Sequence, residues 1–215
     1  MVVEWSAIAG IALVGLGLVL TPGPNMIYLV SRSVTQGRRA GMVSLLGVAA
    51  GFLVYLAAAT AGLTAVFVAV PAAYTVLKLA GVGYLLFLAW QALRPGGVSA
   101  FAPKDLPVDR PRRLFAMGFL TNLLNPKIAV LYVSLLPQFI EPSGVPVALQ
   151  SLVLGVVQIA VALTVNALIV VFAGSLSRFL TARPTWLRMQ RWLMGGVLGA
   201  LAVRLAVEPR PATAG

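Results

Sequence analysis

Two segments place proline, glycine and asparagine within long apolar stretches of the chain. They are residues 20–25, with the sequence LTPGPN, and residues 120–127, with the sequence LTNLLNPK. Proline lacks an amide hydrogen and clashes with the preceding turn, so each segment is expected to interrupt a helix. In hydrocarbon, the freed backbone groups are tolerated only inside protein or beside a polar cavity. Both segments are therefore candidates for a binding site.

Broken helices recognise charge through their backbone ends. The amides at a half-helix N-terminus attract an anion, and the free carbonyls at a C-terminus attract a cation, so the pair suits a zwitterion. Proline kinks that serve only packing are the alternative, but two corresponding breaks, both flanked by asparagine, favour binding. The asparagines can also repair the broken backbone, a role expected above all for Asn122. The candidate substrate-binding residues are Thr21, Pro22, Gly23, Pro24, Asn25, Asn122, Asn125, Pro126 and Lys127.

Lys127 is a charged residue inside an apolar stretch. A lysine at membrane depth costs about 2.5–3.5 kcal/mol on insertion scales, so it needs a partner or access to water. Its ammonium group either binds the carboxylate of a substrate or gates its passage. The alternative is a structural lysine, satisfied by the carbonyls that the break near Pro22 frees.

Four further polar residues are candidates for lining a cavity, namely Lys78, Tyr84, Gln158 and Asn166. Gln158 and Asn166 are eight residues apart, near one face of a helix, and they line the cavity or hydrogen-bond between helices. Lys78 lies about one turn inside its stretch, where snorkelling to the outer interface is the favoured explanation.

The elements that must position these residues are membrane-spanning helices. The chain is 60% hydrophobic and 10% charged, whereas soluble domains carry roughly 25% charge. Three stretches without any ionisable acid or base, 5–31, 40–77 and 142–177, each exceed the roughly 20 residues that cross a bilayer. We predict an all-α membrane protein with six transmembrane helices and one domain, residues 1–208, before a disordered tail at 209–215. The spans are predicted at about 5–31, 40–64, 73–93, 114–138, 146–174 and 189–207.

The formal charge of +11 reports topology rather than nucleic-acid binding, because the bases cluster in short connections between spans. The positive-inside rule places these connections in the cytoplasm and both termini outside, in a multi-pass membrane protein. These three connections contain 12 of the 16 bases: Arg32, Arg38 and Arg39 in the first connection, Arg94, Lys104, Arg110, Arg112 and Arg113 in the third, and Arg178, Arg183, Arg188 and Arg191 in the fifth.

The breaks lie in the first and fourth spans, which predicts a 3+3 inverted repeat with a binding site near the midplane. Repeat one covers about 5–93, a basic cytoplasmic loop about 94–113, and repeat two about 114–207. Alternating access would come from rocking one repeat against the other around the two breaks.

Missing residue types exclude other functions. The chain has no cysteine and no histidine, so an enzyme, a cofactor and a metal site are not expected. An inorganic or metal cation as cargo is the alternative to an organic substrate, but such ions prefer carboxylate, thiolate or imidazole ligands. For a proton-coupled transporter no coupling residue is visible, because all five acids lie outside the spans; the candidates to carry a proton are Lys127 and the substrate amine. The acids are Glu4, Asp105, Asp109, Glu141 and Glu208.

Several short motifs occur together in one order, from about residue 14 to 140. They are residues 20–24 (LTPGP), 77–81 (LKLAG), 122–127 (NLLNPK) and 136–139 (LPQF), with Gly37, Gly41, Gly47, Gly51, Gly83, Tyr84, Gly118 and Phe119. In these motifs and their order the chain resembles the lysine exporter (LysE/RhtB) family of bacterial amino-acid export permeases, and the last third matches only in hydropathy. The resemblance implies a six-helix permease of the bacterial inner membrane that exports amino acids or related small metabolites by proton antiport.

Two pairs of glycines have the spacing that allows close helix packing. The pairs Gly47/Gly51 and Gly195/Gly199 permit such packing within one chain or in a homo-oligomer.

Overall fold

A computed structural model describes residues 3–63, 71–94, 108–141, 144–181 and 184–207, and all regular structure in these ranges is helical. The tail at 209–215 and most of the predicted basic loop, residues 95–107, lie outside the described residues. Short π-helical turns follow α2 (Ala59–Leu63) and α5 (Leu131–Leu135), and a 3-10 turn covers Leu136–Phe139. The seven α-helices of the described ranges are α1 (Trp5–Leu20), α2 (Pro24–Ala58), α3 (Pro71–Leu93), α4 (Pro111–Leu123), α5 (Pro126–Val130), α6 (Val147–Thr181) and α7 (Pro184–Val207).

Helix α2 folds back on itself at Gly37. This residue has φ 85° and ψ 169°, a conformation that only glycine adopts readily. The hydroxyl of Ser44 donates to the hydroxyl of Tyr28 at 3.1 Å, although residues sixteen apart in a straight helix are about 24 Å apart. We call the two arms α2a (residues 24–36) and α2b (residues 38–58). The reversal falls in the basic connection that the sequence places between the first two spans.

Among the described residues, two helical ranges are long and apolar enough to cross a membrane, Pro24–Ala61 and Val147–Ser175. The first contains the reversal at Gly37, so α2b supplies its membrane-crossing length. The helices Pro111–Leu123 and Pro126–Phe139, bent by 46° at their break, form a third candidate. The structure thus supports an all-α membrane protein with two or three such spans, fewer than the six predicted. The break near Pro22 divides the predicted first span into α1 and α2a.

The surface of the helical bundle is apolar, whereas its interior contains many polar side chains. A soluble protein rarely exposes large apolar patches, but a lipid-facing surface has to be apolar. Exposed apolar residues include Leu46, Leu53, Leu79, Trp90, Leu168, Phe172 and Trp192. Buried polar residues include Thr21, Asn25, Ser44, Asp109, Asn122, Asn125, Lys127, Gln158 and Asn166.

Glycines bring α2b and α4 into backbone contact. A Cβ atom at Gly47 would overlap the carbonyl oxygen of Phe115, and one at Gly118 would overlap that of Ser44. The pair Gly47/Gly51 therefore acts within the chain. In the second pair, a Cβ at Gly195 would meet the side chain of Leu93 at 2.5 Å, whereas Gly199 has open space around it.

Gly47→Ala is expected to lower the free energy of unfolding by about 1–3 kcal/mol, because the added methyl group meets backbone that cannot move aside. Gly83→Ala is the matched control, since a Cβ there has nothing within 4 Å. Thermal unfolding in detergent measures both variants. Equal melting temperatures would show that the backbones of α2b and α4 are not in close contact.

The two ends of the bundle differ in their charged residues, because one end contains a cluster of ion pairs and the other an open cleft with two acids. At one end, Asp109 binds Arg32 of α2a at 2.5 Å and Arg113 of α4 at 3.2 Å, and its amide donates to the side chain of Gln36 at 3.0 Å. At the other end, Glu4 and Glu141 line an open cleft of about 470 Å³ between the start of α1 and the segment before α6. The basic connection at Gly37 and the basic start of α4 therefore lie together, away from these two acids.

Candidate functional site

The two helix breaks are in direct contact through Lys127. Its ammonium group donates to the carbonyl oxygen of Leu18 at 2.8 Å and to that of Thr21 at 2.9 Å. Carbonyl groups in the last turn of a helix lack the usual amide partners four residues on, and α1 ends at Leu20. The carbonyl of Leu18 also accepts a hydrogen bond from the amide of Thr21 at 3.2 Å. The lysine side chain is only 4% exposed. The second break thus supplies the cation that satisfies the carbonyl end of the first.

Small and polar residues shape this contact. The side chain of Asn125 accepts a hydrogen bond from the amide of Lys127 at 3.0 Å and caps α5. The hydroxyl of Tyr55 donates to the carbonyl of Leu123 at 2.8 Å, which satisfies the end of α4. Gly23 gives the lysine room, because a Cβ there would lie 2.9 Å from its nitrogen.

The expected repair role of Asn122 is not what the structure shows. Both polar atoms of its side chain are buried and have no hydrogen-bond partner within the described ranges. The side chain packs instead against Gly51 of α2b, where a Cβ would lie 2.8 Å from it. Asn125 and Tyr55 carry out the repair, so the interpretation of Asn122 was wrong in this respect.

A cavity of about 20 Å³ lies beside Lys127, which is room for about one water molecule. Four of the sequence-predicted polar residues meet at its wall: Asn25 from the start of α2a, Lys127 from α5, and Gln158 and Asn166 from α6. The rest of the wall is apolar and comes from α1, α2, the α5 region and α6. The apolar lining residues are Gly15, Leu18, Val19, Met26, Phe52, Ile128, Leu131 and Ala162.

The polar wall of the cavity contains hydrogen-bonding capacity that the protein does not use. The Oδ1 atoms of Asn25 and Asn166 are buried and have no partner within the described part of the chain. Two of the three N–H groups of Lys127 bind carbonyls, and the described residues provide no acceptor for the third. An unsatisfied buried polar group costs about 1–3 kcal/mol. Several such groups around one cavity can form hydrogen bonds with a polar guest, and the volume of the cavity has room for a water molecule.

Gln158 both bridges helices and lines the cavity, so it fills both roles that the sequence left open. Its side-chain oxygen accepts a hydrogen bond from the hydroxyl of Tyr132 at 2.9 Å. The ring of Tyr132 stacks on that of Tyr55, with centroids 5.4 Å apart. This contact fixes the amide oxygen of Gln158 as the acceptor, which leaves the amide nitrogen as a donor.

The remaining candidates lie near the site or apart from it. Thr21 contributes its carbonyl group, and Pro24 and Pro126 are each the first residue of a helix. Tyr84 does not line the cavity; its ring faces Phe87, with centroids 6.2 Å apart. The side chain of Lys78 lies outside the described part of the structure.

Sequence reasoning missed the apolar wall of the cavity. Met26, Phe52 and Leu131 line it, and Tyr132 orients Gln158. An apolar residue in a helix that is apolar on every side carries no mark of the face it presents. The hydrogen bonds of Tyr55 and Tyr132 near the breaks could have been suspected from the sequence, because the hydroxyl of a buried tyrosine usually finds a partner.

Comparison with known proteins places this geometry in context. Residues 16–209 match the family described as LysE type translocator. The homoserine/homoserine lactone efflux protein of Salmonella typhimurium is 35% identical over 149 residues, which cover 69% of this chain and 71% of that protein. The membrane protein PA4757 of Pseudomonas aeruginosa is 29% identical, covering 97% of this chain and 95% of its own length. No solved structure matches the chain.

Proposed function

The chain belongs to the LysE type translocator family, and from this membership we propose that it is a secondary transporter that exports amino acids or related small zwitterionic metabolites across the bacterial inner membrane, by proton antiport. Members of this family are transporters, not enzymes. The observation that carries the proposal is the contact between the two helix breaks at Lys127, beside a buried cavity with unused polar atoms.

The chemistry of the cavity complements a zwitterion. The free N–H of Lys127 suits a carboxylate, and charge-assisted hydrogen bonds of this kind are about twice as strong as neutral ones. The oxygens of Asn25 and Asn166 suit an ammonium group, which needs acceptors. The efflux protein of Salmonella typhimurium is named for homoserine and homoserine lactone. Homoserine is a small zwitterion, which supports the same substrate class.

The charge distribution supports the proposed orientation and span count. α1 has 16 residues and is about 24 Å long, too short to cross a hydrocarbon core of about 30 Å without α2a. With α1 and α2a as the first span, followed by α2b, α3, α4 with α5, α6 and α7, the chain has six. The ion pair between Arg32 and Asp109 joins the first and third connections at one end of the bundle. The positive-inside rule places both connections in the cytoplasm, so they have to lie at the same end.

The small volume of the cavity fits a transporter in a closed conformation. Sites for small molecules usually measure about 300–1,000 Å³, whereas this cavity measures about 20 Å³. A substrate therefore enters only when neighbouring helices separate. Two broken helices that meet at the site provide the flexible backbone for such a movement.

Proteoliposomes test the proposal directly. Vesicles loaded with unlabelled homoserine, threonine or leucine should accumulate the same labelled amino acid by counterflow, and an imposed pH gradient should drive net transport. Empty vesicles and vesicles with a heat-denatured protein are the controls. If no amino acid exchanges but labelled metal ions do, the cation alternative replaces the proposal; a lack of any response to the pH gradient would remove proton antiport.

A further inference from the structure

We infer that the cavity selects for amino acids with one positive charge and against those with two, and that Asn25 and Asn166 set this selectivity. The inference rests on the proposed function, since it concerns the substrate class of the same site. It follows from the juxtaposition of one buried lysine with two buried asparagine oxygens that have no partner in the described structure.

Among the described residues, the cavity wall contains one ionisable group, the ammonium of Lys127, and no ion pair of those residues involves it. The described acids lie elsewhere. Asp109 is bound to two arginines at the end of the bundle that contains Gly37, and Glu4 and Glu141 line the cleft at the opposite end. No acid in the described part of the chain therefore compensates the positive charge of Lys127.

A neutral amino acid supplies the missing partners. Its carboxylate neutralises Lys127, and its ammonium group uses the oxygens of Asn25 and Asn166, which are otherwise buried without a hydrogen bond. The ligand carboxylate then balances the charge of Lys127. The ammonium group of the ligand remains as the one uncompensated charge, and the two amide oxygens can accept hydrogen bonds from it.

A basic amino acid adds a cation that the cavity cannot satisfy. The rest of the wall, including Met26, Phe52 and Leu131, is apolar. A second ammonium or guanidinium group would lose its hydration there, and in the low dielectric of the site it would also repel Lys127. We therefore expect the described residues of the site to disfavour lysine and arginine relative to homoserine or threonine.

Replacing Asn166 with Asp tests this directly, because the change keeps the shape of the side chain and adds a carboxylate to the cavity wall. Counterflow of labelled lysine and labelled homoserine is measured in separate vesicles. The wild-type protein should exchange homoserine at least about tenfold faster than lysine, and Asn166→Asp should raise the ratio of lysine to homoserine exchange by about tenfold or more.

Two further variants make the result interpretable. Asn25→Asp places the new carboxylate on α2a instead of α6 and should shift the ratio in the same direction, which covers the case that Asn166→Asp does not fold. Gln138→Glu also converts an amide into a carboxylate, but in the open cleft that Glu4 and Glu141 line. It should leave the ratio of lysine to homoserine exchange unchanged.

The outcomes separate the inference from the proposed function. If the wild-type protein exchanges neither amino acid, nor any other zwitterion, the proposed function fails. If it exchanges lysine as fast as homoserine, the function stands and the charge selectivity is overturned. If it prefers homoserine but neither Asn→Asp variant changes the ratio, the assignment of selectivity to these two asparagines is overturned.

Discussion

We expect Lys127→Ala to reduce homoserine counterflow about a hundredfold, because removing a buried, hydrogen-bonded charge costs about 2–5 kcal/mol of binding. The variant loses the cation that binds the substrate carboxylate, and it also loses the hydrogen bonds that Lys127 donates to the carbonyls of Leu18 and Thr21. The measurement is exchange per inserted molecule, with the amount in the membrane quantified separately. If Lys127→Ala exchanged homoserine at the wild-type rate, the assignment of Lys127 to the substrate site would be wrong.

Arg94→Ala is the control for loss of a positive charge. Arg94 is exposed at the end of α3, 5.3 Å above the ring of Trp90, and its removal should leave exchange near the wild-type rate. Lys127→Gln separates binding from structure. Glutamine can still donate to a carbonyl group of α1, so the variant should remain folded, but it should lose the rise in melting temperature that homoserine gives the wild-type protein. A full homoserine-dependent rise in Lys127→Gln would mean that Lys127 is only structural.

Asp109→Ala is expected to lower the free energy of unfolding by about 3–5 kcal/mol, because it leaves Arg32 as an unpaired charge in a mostly buried position. The side chain of Arg32 is 11% exposed, and that of Asp109 is 4% exposed. Thermal or denaturant unfolding in detergent measures the loss.

The second arginine of this cluster provides the matched comparison. Arg113 also binds Asp109, but its side chain is 70% exposed, so Arg113→Ala should cost only about 0–1 kcal/mol. Equal destabilisation by Asp109→Ala and Arg113→Ala would contradict the burial of the Arg32–Asp109 pair.

The breaks could be predicted from the sequence because they depend on covalent properties of proline and glycine. The helices end at Leu20 and Leu123, inside the two predicted segments. The two interpretations of Lys127 turn out to be compatible, because the carbonyls of the first break occupy only two of its three donors. Because Asn25, Gln158 and Asn166 are polar residues in apolar stretches, the sequence could suggest that they lie near that lysine. It could not predict the distances between them.

Tertiary packing determined what the sequence could not predict. Asp109 was placed among the acids outside the spans, but nothing in its neighbourhood indicated that Arg32, 77 residues earlier, is its partner. The apolar wall at Phe52 and Leu131 depends on how uniformly apolar helices rotate against one another. The lack of hydrogen bonds at Asn122 likewise follows from its position against Gly51, which no local pattern encodes.

The backbone contact of α2b with α4 constrains how the protein can move. The residues that touch there, Gly47 with Phe115 and Gly118 with Ser44, come from opposite halves of the chain. In the proposed alternating-access cycle, rocking the N-terminal half against the C-terminal half would have to separate these backbones each time. We therefore expect α2b and α4 to stay packed together, one helix from each half, while the segments that join at the breaks tilt around them.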